Sequence, residues 1–253
     1  MKIDLFEDGI GCVEYIKHSG DDLTVVNAAR VSFGAEKEEL DDKDIKLINY
    51  LMSHGHTSPF EHCNITFRFV VPLFIRSQHH RHRTWSYNEI SRRYTSVDMQ
   101  FYQPKSFRTQ HKNNRQASNI EELIDPVIVP DLADTGFGLT ASGKIRLHHK
   151  ESVNLYNTLM ARGVCREQAR GVLPQNMYTE YYGTANLNNL LKFCGLRLHE
   201  GAQWEIQKVA EGIIGICKNL WPITINSYIN CLEDKELAER LEKVQVIANE
   251  PHN

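Results

Sequence analysis

Between positions 78 and 94 the chain sets Arg81, Arg83, Arg92 and Arg93, with His79, His80 and His82, against a single carboxylate, Glu89. Guanidinium groups hold phosphate through paired, charge-assisted hydrogen bonds. Ser86, Asn88 and Ser91 add neutral donors and acceptors, and Trp85 and Tyr87 can pack beside a flat ring. A basic run is in general a solvated turn. The density and variety of polar groups here favour a binding site for an anionic, ring-bearing ligand. A stacking groove for single-stranded nucleic acid draws on the same residue types. The formal net charge of −3 over 253 residues weighs against whole-surface attraction to nucleic acid or anionic lipid.

Other chemistry is weaker. Ser91 as a nucleophile needs a positioned base, for which His82 is a candidate. His54, His56, His62 and Cys63 have metal-like spacing, but no second ligand cluster accompanies them, and they are read as shaping a binding loop with no metal. Cys165 and Cys194 read as core thiols rather than nucleophiles. The six cysteines lie far apart without a C-x-x-C pair, which fits reduced, mostly buried thiols in a cytoplasmic protein. The first residues turn acidic at once, unlike a signal peptide, and no stretch approaches the roughly 18 apolar residues of a membrane span.

These residues need elements to hold them. Residues 22–31 read as a short helix behind an acidic cap, ended by Ser32-Phe33-Gly34. A second helix spans Asp42–Ser53, with Ile45, Ile48, Leu51 and Met52 on one face and Gly55 as a stop. The period then changes to two: Ile65, Phe67, Phe69 and Val71 alternate with Thr66, Arg68 and Val70, a strand. Pro72 suits the first turn of a helix whose end carries the Arg81 run, placing that run where a helix gives way to a loop. Residues 105–143, polar and broken by Pro126, Pro130, Gly136 and Gly138, read as an irregular surface excursion, a solvated loop in preference to a lid.

Helices resume over 142–162, with Ile145, Leu155, Leu159 and Met160 as candidate buried positions, and over 166–172 and 186–193. The longest late helix covers 202–220, where Ile206, Val209, Ile213, Ile216 and Leu220 keep helical spacing and Pro222 ends it. From about Asp234 a charged amphipathic helix frays into a polar tail. Helices dominate over a few strands, which predicts a single α+β domain over residues 1–253.

Arg81-His82-Arg83, then seven residues, then Ser91 resembles the signature of the flavin-dependent thymidylate synthases. The longer pattern, Arg-His-Arg-x-x-Ser-x-Asn-Glu-x-Ser-x-Arg-Tyr, is met in full as far as Tyr94. Further stretches are similar in the expected order. They are Ala28-Ala29-Arg30-Val31-Ser32, then His54-Gly55-His56 with Pro59-Phe60-Glu61-His62, then Arg166-Glu167-Gln168-Ala169-Arg170 with Leu173-Pro174. Last come Leu196-Arg197 and Ala202-Gln203-Trp204-Glu205-Ile206. The resemblance covers most of residues 20–220. It departs at His79-His80, where the family commonly has apolar or aromatic residues, at Cys165 in place of Pro, and at Lys192 in place of a neutral Asn or His.

The resemblance implies an α+β fold of the thymidylate synthase-complementing-protein kind, with a small, mainly antiparallel sheet packed by helices. It implies a homotetramer with active sites shared between subunits. The implied reaction converts dUMP to dTMP, with 5,10-methylenetetrahydrofolate as carbon donor, reduced FAD as hydride source and NADPH recharging the flavin. By similarity, Ser58, Arg81, His82, Arg83, Glu89, Asn186, Asn188 and Lys192 contact FAD. Gln78, Arg81, Glu89, Ser91, Arg92, Arg93 and Arg170 contact dUMP, which makes Ser91 a substrate contact rather than a nucleophile. Arg197 matches the activating arginine that stabilises charge developing on the uracil ring. No membrane and no required nucleic acid are implied. A member that binds its ligands without turning over is the alternative, against which Arg197, Arg170 and Ser91 stand.

Overall fold

The computed structural model describes residues 1–91, 99–115, 117–130 and 138–244. In chain order, β1 (Lys2–Asp4) and β2 (Cys12–Ser19) precede α1 (Asp22–Arg30) and α2 (Asp42–Ser53). Then β3 (Asn64–Pro72) runs directly into α3 (Leu73–His79), and a turn leads to β4 (Ser86–Glu89). Four short strands follow: β5 (Phe107–Gln110), β6 (Ser118–Ile124), β7 (Val127–Val129) and β8 (Leu139–Thr140). The remainder is α4 (Ala141–Ala161), α5 (Arg166–Ala169), β9 (Tyr178–Asn186), α6 (Leu187–Arg197), α7 (Trp204–Cys217), α8 (Pro222–Asn230) and α9 (Lys235–Glu242). The chain forms two compact units, one of Met1–Val70, Gln78–Asn88 and Glu180–Asn253, the other of Val71–Ser77 and Glu89–Thr179. The expected mixture of helices and small antiparallel sheets is what the chain forms. No described helix is long and apolar enough to cross a membrane.

The first unit is built on a five-stranded sheet of order β1-β2-β3-β9-β4. Strand β3 shows why the sequence folds so: Ile65, Phe67, Phe69 and Val71 are buried, whereas Arg68 stands on the other face. Arg68 pairs with Glu14, its register partner on β2, at 3.0 Å, and with Glu180 on β9 at 2.7 Å, so one guanidinium ties three strands together. Helix α7 buries most of its length beside β1 and β2, with Ile206, Val209, Ile213 and Ile216 fully inside. It comes so close that a Cβ at Gly212 would lie 2.7 Å from the Val13 side chain.

Several expectations shift for identifiable reasons. In α2 the i, i+4, i+7 face that turns inward is Asp44, Ile48 and Leu51, one position round from Ile45, which is exposed. Asp44 can be buried because Arg30 and Lys37 both bond its carboxylate, which holds it well below the usual carboxylate range despite the opposing effect of burial. Gly55, at φ 68°, ends that helix as expected.

Pro222 does not terminate a helix running to Leu220. Helix α7 stops at Cys217, and Pro222 opens α8, a helix that the sequence did not announce. That helix has no cap of its own. Asp22, 4% exposed in the first turn of α1, accepts from Ile223 N at 2.9 Å, Thr224 N at 3.0 Å and Thr224 Oγ1 at 2.6 Å. Cys12, Cys63, Cys194 and Cys217 are buried thiols as expected, but Cys165, at the N-terminal boundary of the short helix α5, is exposed. Tail residues 245–253 lie outside the described residues.

In the second unit, residues 105–143 are not the irregular loop expected. Strands β5 and β6 pair antiparallel, as do β7 and β8. Their periodicity is invisible because most of their side chains are exposed, so no alternation of burial imprints itself on the sequence. Residues 116 and 131–137, including Gly136, lie outside the described residues. Helix α4 also turns a different face inward. Leu155 is exposed, Leu159 and Met160 are partly buried, and the buried positions are Ser142, Gly143, His149, Ser152 and Tyr156. Tyr156 forms the centre of this unit's core with Ala169, Leu173 and Met177.

Candidate active site

The second unit contains a cleft of about 640 Å³. Arg76, Glu89, Ser91, Glu167 and Arg170 give it polar walls, and Leu73, Leu173 and Met177 an apolar side. Glu89, from the end of β4, is held from two directions. Thr179 Oγ1 donates to its Oε1 at 2.7 Å, and Arg76 Nε lies 3.1 Å from the same oxygen, an ion pair without hydrogen-bond geometry. Arg76 is thus neutralised inside the protein. Arg170 is not: it opens the turn after α5, is exposed, and has no ion-pair partner among the described residues. A guanidinium lining a cleft without a carboxylate partner is a ready anion site. Ser91 shares the cleft, whereas Arg92 and Arg93 lie outside the described residues.

In the first unit the run after α3 folds back through a tight turn. His82 N donates to His79 O and Trp85 N to His82 O, and Ser86 starts β4, so the expected loop is confined to residues 80–85. Arg81 and Arg83 project to solvent and have no ion-pair partner among the described residues. Arg197, in the last turn of α6, donates from Nε to His82 Nε2 at 3.1 Å. Burial and the charge of Arg81 both push the Arg197 proton affinity down. A half-buried cation beside another cation is electrostatically uphill, and an arriving anion relieves it. His82 is itself pushed down to about 4, first by burial and then by the Arg197 charge. The neutral ring uses Nε2 as acceptor from Arg197, so that nitrogen is unavailable as a base for a serine.

His79 departs from an apolar family position only in name. It is fully buried, its ring 4.7 Å from Trp85 and 4.6 Å from Phe193, with Nδ1 bonded to Tyr181 OH at 2.8 Å. Nε2 is buried without a partner, and burial drives the proton affinity well below the ordinary histidine value. The ring therefore works as an aromatic.

For both His79 and His82 the folded protein resists a proton that the unfolded chain accepts near pH 6.5. Stability is then full above that pH and falls as pH is lowered toward about 4, the folded value of His82. Thermal melts between pH 8 and pH 4.5 should show this decline, and His79→Phe should flatten it. An equal slope in the variant would show that His79 does not contribute.

The remaining predicted residues are placed as follows. Ser58 is exposed at the start of a 3-10 turn, Ser58–His62. Asn186 caps α6, its Oδ1 accepting from Asn189 N at 2.9 Å. Asn188 is buried and its Nδ2 donates to Glu61 Oε1 at 2.7 Å, while Lys192 is exposed one turn further on. Gln78, in the last turn of α3, donates to Gln203 at 2.6 Å. Sequence reasoning assigned no role to Arg76, Thr179, Gln203 or Glu205. Only Gln203 and Glu205 lay in a stretch already singled out.

Residues 14–223 match the family described as "Thymidylate synthase complementing protein". The chain belongs to that family. Among its relatives, the flavin-dependent thymidylate synthase of Thermus thermophilus is 42% identical over 213 residues, 84% of this chain and 73% of its own. That of Thermotoga neapolitana is 39% identical over 229 residues, covering 90% of this chain and 94% of its own. Among solved structures, the UMP/dUMP methylase PolB from Streptomyces cacaoi bound with 5-Br dUMP superposes with a TM-score of 0.73 at 33% identity. That superposition covers 90% of this chain and 97% of PolB. The thymidylate synthase complementing protein match begins within β2 and ends in the first turn of α8, so it includes every predicted site residue.

Proposed function

We propose that this member of the family is a flavin-dependent thymidylate synthase, methylating dUMP to dTMP with 5,10-methylenetetrahydrofolate as carbon donor and FAD recharged by NADPH. The observation that carries the reading is the set of arginines at family positions, Arg81, Arg83, Arg170 and Arg197, that lack carboxylate partners among the described residues. Arg30, Arg68 and Arg76 are paired within the protein. The unpaired group suits a substrate phosphate and a cofactor diphosphate.

Arg170 and Ser91 hold dUMP, with Gln78, Arg81, Glu89, Arg92 and Arg93 completing its contacts by family resemblance. By family resemblance FAD is held by Arg81 and Arg83, whose guanidinium groups suit its phosphate oxygens, together with Ser58, His82, Glu89, Asn186, Asn188 and Lys192. Asn186 and Asn188 each give one polar group to helix α6 or its neighbour Glu61 and keep the other for a ligand. When bound, reduced flavin supplies the hydride. The chain's own residues orient the uracil ring and, through Arg197, stabilise charge that develops on it. The neutral His82 ring holds Arg197 from behind.

Residues 1–253 act as one functional domain in a homotetramer, in keeping with the exposed apolar side chains Leu147 and Leu155 on α4. The setting is cytoplasmic, without membrane or nucleic-acid partner. Purified protein should be yellow and release tritium from 5-tritiated dUMP only with folate donor and reductant present. Colourless protein without flavin affinity or tritium release would refute the proposal.

A further inference from the structure

Two residues without an assigned role orient Gln78 from behind. Gln78 Nε2 donates to Gln203 Oε1 at 2.6 Å, and Gln203 Nε2 donates in turn to Glu205 Oε2 at 2.9 Å. Glu205 is 3% exposed and sits in the first turn of α7. An amide side chain can exchange its oxygen and NH2 ends, but an ionised carboxylate only accepts. Glu205 therefore turns the NH2 of Gln203 toward itself. That leaves Gln203 Oε1 facing Gln78, and Gln78 must turn its own NH2 toward Gln203. The end of Gln78 left for a ligand is then fixed as its carbonyl oxygen, with at most one N–H beside it.

We infer that Glu205 and Gln203 are positioning residues that set the polarity of Gln78, which offers an acceptor to a donor group of the nucleotide. A sugar hydroxyl or the imide N–H meets that description, and a phosphate oxygen does not. In that reading the arginines without carboxylate partners among the described residues take the phosphate. The inference rests on the dUMP reading above, which places Gln78 at the substrate. An amide free to turn over would present the wrong end and lose a hydrogen bond, a change of about tenfold in affinity.

Glu205→Gln makes the anchor itself ambiguous. On flavin-loaded protein, the Kd and KM for dUMP should rise about tenfold, while kcat changes by less than about twofold. The exchange Gln203→Glu with Glu205→Gln moves the carboxylate to the middle of the chain, where it accepts from both flanking amides. Gln78 keeps its orientation, and affinity should return to within about threefold of the starting protein. A purely structural need for the charge at position 205 predicts no such rescue.

Unchanged Kd in Glu205→Gln, or an exchange variant that binds no better than Glu205→Gln, would overturn the inference. Should those variants fail to fold, judged by flavin content and melting, Gln203→Met removes the relay without moving the charge. An unchanged Kd in that variant likewise overturns it, and a tenfold rise supports it. Unsubstituted protein that does not bind dUMP at all removes the substrate reading, and this inference with it, before any variant is made.

Discussion

Arg197→Ala is expected to lower dUMP turnover by about 10²–10³-fold, the range seen when one preorganised electrostatic donor is lost, while bound flavin is largely retained. The reasoning starts from an arrangement that is unfavourable in the free protein. Arg197 is half-buried, its only hydrogen-bond partner among the described residues is a neutral imidazole, and the nearby Arg81 charge opposes its own. In the proposed role such a cation would stabilise negative charge that appears only as the reaction proceeds, without reorganisation. Its loss should therefore fall on kcat more than on KM. Removing the guanidinium also removes one of the two influences that depress His82, so the His82 pKa should rise from about 4. Titration followed by NMR of the imidazole reads this separately from catalysis. Undiminished turnover in Arg197→Ala would remove the proposed role.

The second large effect concerns stability. Asp22→Ala should cost about 3 kcal/mol, because two helix-end N–H groups and a buried hydroxyl lose their acceptor together. For a chain of this size that corresponds to a fall in Tm of roughly 6–12 °C. The comparison residue is Asp41, which caps its own helix at the surface through Lys43 N and Asp44 N. Asp41→Ala should cost only about 1 kcal/mol. Asp22→Asn keeps one acceptor oxygen and should fall between. Melts of ligand-free protein at one concentration decide the matter, and a Tm for Asp22→Ala within about 2 °C of the parent would contradict it.

Asp22 also marks the limit of what the sequence made legible. As an acidic residue at the start of a short helix it reads as an N-terminal charge, and the helix is where the pattern placed it. That its carboxylate serves a different helix, more than two hundred positions away, is a long-range fact with no local trace. The same holds for Asp44, a polar residue within an amphipathic face that becomes the most buried position of its turn once Arg30 and Lys37 close over it. Strand β3 and helix α2 were readable because one-sided burial stamps a period on the residues. The hairpins of the second unit were not, since most of their side chains face solvent.

For the site, the dense run from Arg81 to Ser91 favours an anion-binding function over a solvated turn by composition alone. Arg170 and Arg197 gained meaning only from resemblance, because isolated arginines at helix ends are ordinary. Arg76 and Thr179, which hold Glu89 in place, carried no sequence cue at all.

The uncompensated arginines have a further consequence, for the lifetime of the protein. Under the proposed function, the charges of Arg81 and Arg197, which oppose one another in the free protein, would be offset by bound anionic ligands, so those ligands would act as removable counter-ions of the folded state. Folding then becomes linked by mass action to ligand supply, with stability rising as RT ln(1 + [L]/Kd). Depletion of nucleotide or flavin would lower the amount of folded enzyme as well as its rate, tying the persistence of the protein to the pools it serves.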